Sequence, residues 1–484
     1  MSNDAFEPPA RALPAEDGAG DETAGRLSRS ALISLSLATY IPAVSFAMVP
    51  FLVFTTSGTS AWQASLLSSV AVICIGRAVI EFARRYVASG SLYSYVGTVF
   101  GPWARYVTAA SLLAGFIVGV AALAAVVGVF VGSFLYAQGV HSALNLGTQI
   151  FVFGAALLLA AAVAFRGLDT SVIVAVVLAA LALPLVLVIT FSSASHTGID
   201  LSNQLSFAGF SMADTLRGIA VGAAFLVGFE SCAALATETR DPRRNVPIAI
   251  MAVPVVIGGL FPVMTILQVP GLTAAADQLA AGVSAPAALA IQSGLGHTVA
   301  SATDIVLAVA SFASLVGFVN YGARFIAALA EDGLLPAPAA KIHPRYRSPY
   351  VAVGVISLAG FATITALMVW TGDIVSAYTP NATLLVYLWV IPYIIICVGA
   401  IVLTVRRQEF RPGLWIAAAV GAATMIWAYA NGIINPPAPP ADAMIWVAGL
   451  AIIVVIGLIL VNVRRGDRPP ASDDDIDEPQ RARP

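Results

Sequence analysis

Apolar runs of about 20 residues, the length that crosses a bilayer as a helix, recur about a dozen times along this chain. They fall near 31–54, 61–83, 104–134, 147–165, 170–191, 216–237, 247–268, 301–330, 349–370, 375–404, 412–431 and 443–463. Short polar segments separate them. The pattern predicts an all-α polytopic membrane protein of about 12 transmembrane helices. Pro184 and Pro392 fall inside predicted helices, which membrane proteins tolerate where neighbouring groups satisfy the freed backbone. Composition agrees: of 484 residues, 59% are hydrophobic and 10% charged, which excludes a soluble protein.

The arginines set an orientation. Arg26 and Arg29 precede the first run, and Arg84, Arg85, Arg166, Arg240, Arg243, Arg244, Lys341, Arg345, Arg347, Arg406, Arg407, Arg411, Arg464 and Arg465 all follow even-numbered runs. The loops of the other parity carry Asp200, Asp277, Asp373 and Asp442, with Arg217 as the exception. The excess of cations on one side predicts a multi-pass plasma-membrane protein with both termini cytoplasmic. The net charge of −2 says little, because the asymmetry lies between the two sides. Polar tails at 1–28 and 465–484 read as disordered, and the first run, preceded by a long polar tail, reads as a span and not a cleaved signal. Cys74, Cys232 and Cys397 are isolated within spans and read as small apolar residues.

Several chemistries leave no trace. His141, His196, His297 and His343 are scattered over loops on both sides, and no zinc-ligand spacing, Walker A, G-x-G-x-x-G or G-x-S-x-G occurs. Enzymatic catalysis, ATP-driven pumping, a bound cofactor or metal, and nucleic-acid binding are therefore not expected. Transport remains, with a non-transporting membrane sensor or scaffold as the alternative.

One acidic residue, Glu230, sits inside an apolar run that extends from Ile219 to Ala236. An ionisable group at membrane depth is expensive and marks a functional site by default. Gly228 and Phe229 precede it, and the cationic segment Glu238–Pro247 follows. Pro42 lies near the middle of the first run, as Gly228 does in the sixth. Helix breakers at corresponding places in two halves of a carrier point to its substrate site, because half-helix ends there offer amides and carbonyls to charged groups.

Three blocks carry a family resemblance. Glu81, Arg84 and Arg85 lead into Gly90, Tyr93, Tyr95, Gly97, Gly101 and Pro102. Gly228-Phe229-Glu230-Ser231 leads into Glu238, Arg240-Asp241-Pro242-Arg243-Arg244 and Pro247. Asn320 and Arg324 lead into Asp332-Gly333-Leu334-Leu335-Pro336, His343-Pro344 and Pro349. In this order and at these topological positions they resemble the amino acid–polyamine–organocation permeases over most of the chain.

That resemblance implies the LeuT-type fold: two inverted five-helix repeats, near 31–191 and 216–404 within a core of 29–405, with two further helices at 406–464. It implies a substrate site built from Pro42, Ala43, Val44, Ser45 and Phe46 with Val227, Gly228, Phe229 and Glu230. Spans three, eight and ten would line it, Phe229 would form an aromatic gate, and Glu230 would match an acidic position tied to pH response. Two departures stand out. The first break, Tyr40 to Ser45, contains proline where many amino-acid carriers have glycines, and the fifth span lacks the lysine of some proton-coupled relatives.

Other polar residues complete the expectations. Arg77 and Glu81, four apart on one helix face, form an ion pair that is structural or gates the cytoplasmic side. Ser311 and Ser314 are candidates for a cation site shared with carbonyls of the broken first helix, against the alternative of bonding back to their own helix. Tyr378, Asn381, Thr383 and Tyr387 open the tenth span, and sequence does not choose among them. The function expected is secondary active transport of an amino acid or related small amine, including polyamine- or ethanolamine-like solutes. Glu230 is the candidate to take up a coupling proton or to face the substrate ammonium, and a proton or sodium ion the candidate coupling partner.

Overall fold

The computed structural model describes residues 27–87, 90–205 and 210–465; of the proposed tails at 1–28 and 465–484, residues 1–26 and 466–484 lie outside them. The helices are α1 (Arg29–Thr39), α2 (Pro42–Ser57), α3 (Ala61–Ala83), α4 (Leu92–Phe100), α5 (Pro102–Ala137), α6 (Leu146–Phe165), α7 (Leu168–Thr197), α8 (Leu201–Leu205) and α9 (Met212–Ala223). After α9 the chain turns into a 3₁₀ segment, Phe229–Glu238. Then come α10 (Pro242–Ala252), which passes through a π turn into α11 (Gly259–Ala274), α12 (Ala276–Ala280), α13 (Ala285–Gln292) and α14 (Gly296–Glu331). The chain closes with α15 (Tyr350–Thr371), α16 (Ile374–Arg406), α17 (Pro412–Ile434) and α18 (Met444–Arg465).

Ten segments of the described chain are long and apolar enough to cross a membrane. The first of these, Arg29–Ala83, doubles back between α2 and α3 and so supplies two crossings. The sixth crossing lacks a continuous helix, being α9 plus the 3₁₀ segment. Twelve passes result, as the apolar pattern predicts. Each crossing hydrogen-bonds its own backbone, which hydrocarbon demands because it offers no partner.

The two interrupted crossings lie against each other in opposite directions: α2 packs along α9, and α1 touches the 3₁₀ segment. Helices α14 and α16 pack against them and α5 packs on both of these, while α17 and α18 sit outside on α16. This is the LeuT-type arrangement with two helices added. Exposed leucines, valines and isoleucines lie on the outer helices, for example Leu158, Leu358 and Ile453, as lipid-facing surfaces require.

On the arginine-rich face, α4 is the short helix after the second crossing, with Tyr93 and Tyr95 buried in it. The Arg77–Glu81 pair needs correction. Glu81 bonds Arg85, one turn onward, and Arg411 at 3.0 Å from the α16–α17 loop. Glu409 of the same loop bonds Arg85 at 2.8 Å and Arg411 at 2.9 Å. A carboxylate at i+4 from one arginine and i−4 from another can serve either. Arg85, nearer the membrane surface, wins because its guanidinium is shared with Glu409.

Candidate functional site

Pro42 has no N–H to give the carbonyl of Ala38, so the first helix cannot run through. The Ile41 N–H serves that carbonyl instead, at 3.1 Å. Ile41 itself is forced to φ 31°, a conformation costly for a β-branched residue. The remaining carbonyls of the break all find donors. Thr39 O accepts from Ser314 Oγ, Tyr40 O from Ser45 Oγ at 2.9 Å, and Ile41 O from the Ser45 N–H at 3.1 Å.

The second break is made differently. Gly228 adopts φ 80°, the left-handed region that glycine enters without a steric penalty. Its N–H donates to Tyr393 Oη at 2.7 Å, and its carbonyl accepts from the Ser231 N–H at 2.7 Å. The two breaks touch through Tyr40, whose hydroxyl donates to Val227 O at 3.1 Å. A Cβ on Gly228 would stand 2.9 Å from that hydroxyl.

Glu230 lies two residues past Gly228 and is 2% exposed. Its two oxygens accept from Trp389 Nε1 at 2.9 Å and Tyr393 Oη at 2.8 Å, both from α16. Gly115 on α5 leaves room for the Trp389 indole. Sequence reading missed Trp389 and Tyr393, although two buried-type donors four residues apart around Pro392 carried the signal.

Beside the breaks is a cavity of about 60 Å³. Its wall comprises Thr39 and Tyr40 of α1; Ala224, Phe225 and Val227 after α9; Gly119, Ala122, Leu123 and Val126 of α5; Ser314 and Phe318 of α14; and Tyr378, Ala382 and Leu385 of α16. The third, eighth and tenth crossings thus line it. No side chain of the wall is a carboxylate, lysine or arginine. Tyr40 meets Phe318 edge to face, ring centroids 5.8 Å apart.

Of the nine residues proposed for the substrate site, Val227 lies on this wall, and the others pack behind it. Pro42, Ala43 and Val44 begin α2. Ser45 is spent on Tyr40 O, and the carbonyl of Phe46 accepts from Gln268 Nε2 at 2.8 Å, turning that residue toward α11. Phe229 is fully buried against Tyr393, centroids 5.7 Å apart. The left-handed turn at Gly228 sends Phe229 away from the cavity, and the aromatic on its wall after α9 is Phe225. The Trp389 and Tyr393 donors hold the Glu230 carboxylate off the wall.

The paired-serine cation site is likewise corrected. Ser311 Oγ donates back to Leu307 O at 2.7 Å, and only Ser314 reaches the first break, where its own hydroxyl occupies the Thr39 carbonyl. Helix phase explains this, since residues three apart diverge by about 60° around the axis. In the tenth crossing the structure selects Tyr378 for the wall. Thr383 bonds Thr379 O at 2.9 Å, Tyr387 packs on Tyr429, and Asn381 is fully buried. Arg324 binds Glu238 at 2.7 Å and Asn320 at 3.1 Å near the arginine-rich face.

Two interrupted crossings, set antiparallel around a small cavity inside a LeuT-type bundle, define a secondary transporter of the multi-pass membrane class. The chain belongs to the amino acid permease family, whose pattern matches residues 27–459. It is similar to an uncharacterized transporter of Mycobacterium tuberculosis, 26% identical over 73% of this chain and 76% of that one. A branched-chain amino acid permease of Bacillus subtilis is 23% identical over 65% of this chain and 70% of its own. In fold it resembles a Na⁺-coupled sialic acid symporter solved in a substrate-bound outward-open state, with TM-score 0.52 and 13% identity, covering 84% of this chain and 89% of the symporter.

Proposed function

We propose that this permease carries a zwitterionic amino acid with a small apolar side chain across the cytoplasmic membrane by alternating access, both termini being cytoplasmic. The uncharged wall of the central cavity carries this reading. A polyamine would bring several ammonium groups to a wall that holds no carboxylate, and desolvating unpaired charges is costly. A zwitterion instead needs one partner for each end. The first-turn N–H groups at Ala43 and Val44, which lack acceptors within α2, lie behind the present wall and would meet the carboxylate once the centre widens. The Val227 carbonyl and the hydroxyls of Tyr40 and Tyr378 suit the ammonium, and Ala122, Leu123, Val126 and Leu385 the side chain.

Glu230 is the coupling candidate in this scheme. It is a desolvated carboxyl held only by neutral donors, so one proton changes its charge without breaking an ion pair. A similar branched-chain permease in Bacillus subtilis supports the substrate class, and the family supports transport over the sensor alternative. Purified protein in liposomes should take up labelled leucine, isoleucine or valine saturably, and putrescine and ethanolamine should neither enter nor compete. Saturable putrescine flux without amino-acid flux would overturn the assignment.

A further inference from the structure

A second, larger cavity of about 810 Å³ opens on the face opposite the arginines, between the end of α5, the α12–α13 hairpin and the start of α14. It is separate in lining from the central cavity, sharing none of its residues. On one wall stands Asp304, 2% exposed. Its carboxylate accepts from Ser133 Oγ of α5 at 2.6 Å and from Ser284 Oγ at 2.5 Å. Ser284 is also the N-cap of α13. Asp277 and Gln278 of α12 form the facing wall, and the Gln278 Oε1 is buried without a partner. Tyr136, Gln138, His297, Thr298 and Ser301 add to the polar lining, which contains no lysine or arginine.

Three features fix the chemistry of an occupant. A buried carboxylate with only two neutral donors retains acceptor capacity and benefits from a cation. An orphan amide oxygen adds a second acceptor, which costs free energy until it is met. The α13 side of the lining is apolar, with Val283, Ala287 and Ile291, which a bare hydrated ion does not use. A metal ion is also disfavoured, because no group of three His, Cys, Asp or Glu converges among the described residues.

We propose that this outer cavity is a binding site for a small organic ammonium: a monoamine whose charged head meets Asp304 and Gln278 and whose apolar body lies on α13. The site is independent of the transport site. Because Ser284 links Asp304 to the cap of α13, an amine bound there engages the hairpin that covers this face.

Isobutylamine is the probe, with isovalerate as its charge-reversed counterpart and MgCl₂ as the metal control, titrated by ligand-observed NMR against the full chain in nanodiscs. Saturable isobutylamine binding is expected, with isovalerate and Mg²⁺ failing to compete. Asp304→Asn should weaken it by about tenfold or more, as loss of a charged hydrogen bond does. Asp277→Asn, an exposed change that spares the Ser133–Asp304–Ser284 links, should weaken it several-fold and guards against misfolding of the first variant. Ala122→Leu, which fills the central cavity, should leave binding unchanged. Absence of binding to the wild type, equal binding to both aspartate variants, competition by Mg²⁺, or loss of binding in Ala122→Leu would each overturn the proposal.

Discussion

Glu230 and Glu81 are both 2% exposed, yet their surroundings are opposite. Glu81, at the arginine-rich face, is held by two guanidiniums and joined through them to Glu409. Glu230, at the centre, is held by an indole N–H and a phenol O–H and by no cation. The contrast separates two uses of a buried carboxylate. Paired with arginines it is a fixed fastener, since removing either sign strands the other. Ringed by neutral donors it can lose or gain charge locally, which a coupling step requires.

The sharpest way to break the comparison is to remove the turn that positions the central carboxylate. Gly228→Val would place a β-branched side chain at φ 80° and against the Tyr40 hydroxyl. Amino-acid uptake in liposomes should be abolished, and near-normal uptake would mean that the break is not needed. Glu230→Gln comes next. It keeps shape but replaces charged hydrogen bonds, each worth about 1.5–3 kcal/mol, so uptake should fall by about tenfold or more and lose its dependence on pH. Tyr393→Phe removes the donor to Glu230 and the acceptor of the Gly228 N–H; uptake should fall several-fold and stability in detergent unfolding by about 1–3 kcal/mol.

At the arginine-rich face the effect should appear in stability. Glu81→Gln leaves Arg85 and Arg411 short of a partner. Breaking a fully buried pair costs about 3–5 kcal/mol; because Arg411 is 44% exposed, about 1–3 kcal/mol is expected in detergent unfolding. The smallest effect concerns Glu409, whose carboxyl is held below the ordinary carboxylate range first by its hydrogen bond from Arg85. A depressed value stabilises the fold above the ordinary carboxylate pKa, about 4.3, and that contribution disappears as pH falls through the lowered value. Glu409→Gln should therefore slightly reduce the loss of thermal stability on acidification from pH 5 to pH 3, and an unchanged slope would dismiss the pair as a contributor.

The crossings were legible in the sequence because a bilayer imposes length and apolarity on each. So were the two breaks, since Pro42 and Gly228 act through their own backbone chemistry. The cavity wall was not legible. A break shows where a helix stops but not which half faces the open space. Thr39 and Tyr40 took the place expected for Pro42 to Phe46, and Phe225 that of Phe229, because a left-handed residue reverses the facing of whatever follows it. The partners of Glu230 came from α16, 159 and 163 positions away in sequence, where no local pattern could pair them. Asp304 was within reach, since the argument that singled out Glu230 applies to any carboxylate inside a crossing.

The central cavity, at about 60 Å³ of space open to water-sized spheres, has room for only a few waters, each needing roughly 10–15 Å³ by that measure. A branched amino acid does not fit in that space, so the conformer described here belongs to the ensemble that binds poorly. Any measured dissociation constant is then the intrinsic one divided by the fraction of molecules with a widened centre. Substitutions far from the wall that shift this fraction would alter apparent affinity for every substrate by one common factor, leaving selectivity untouched.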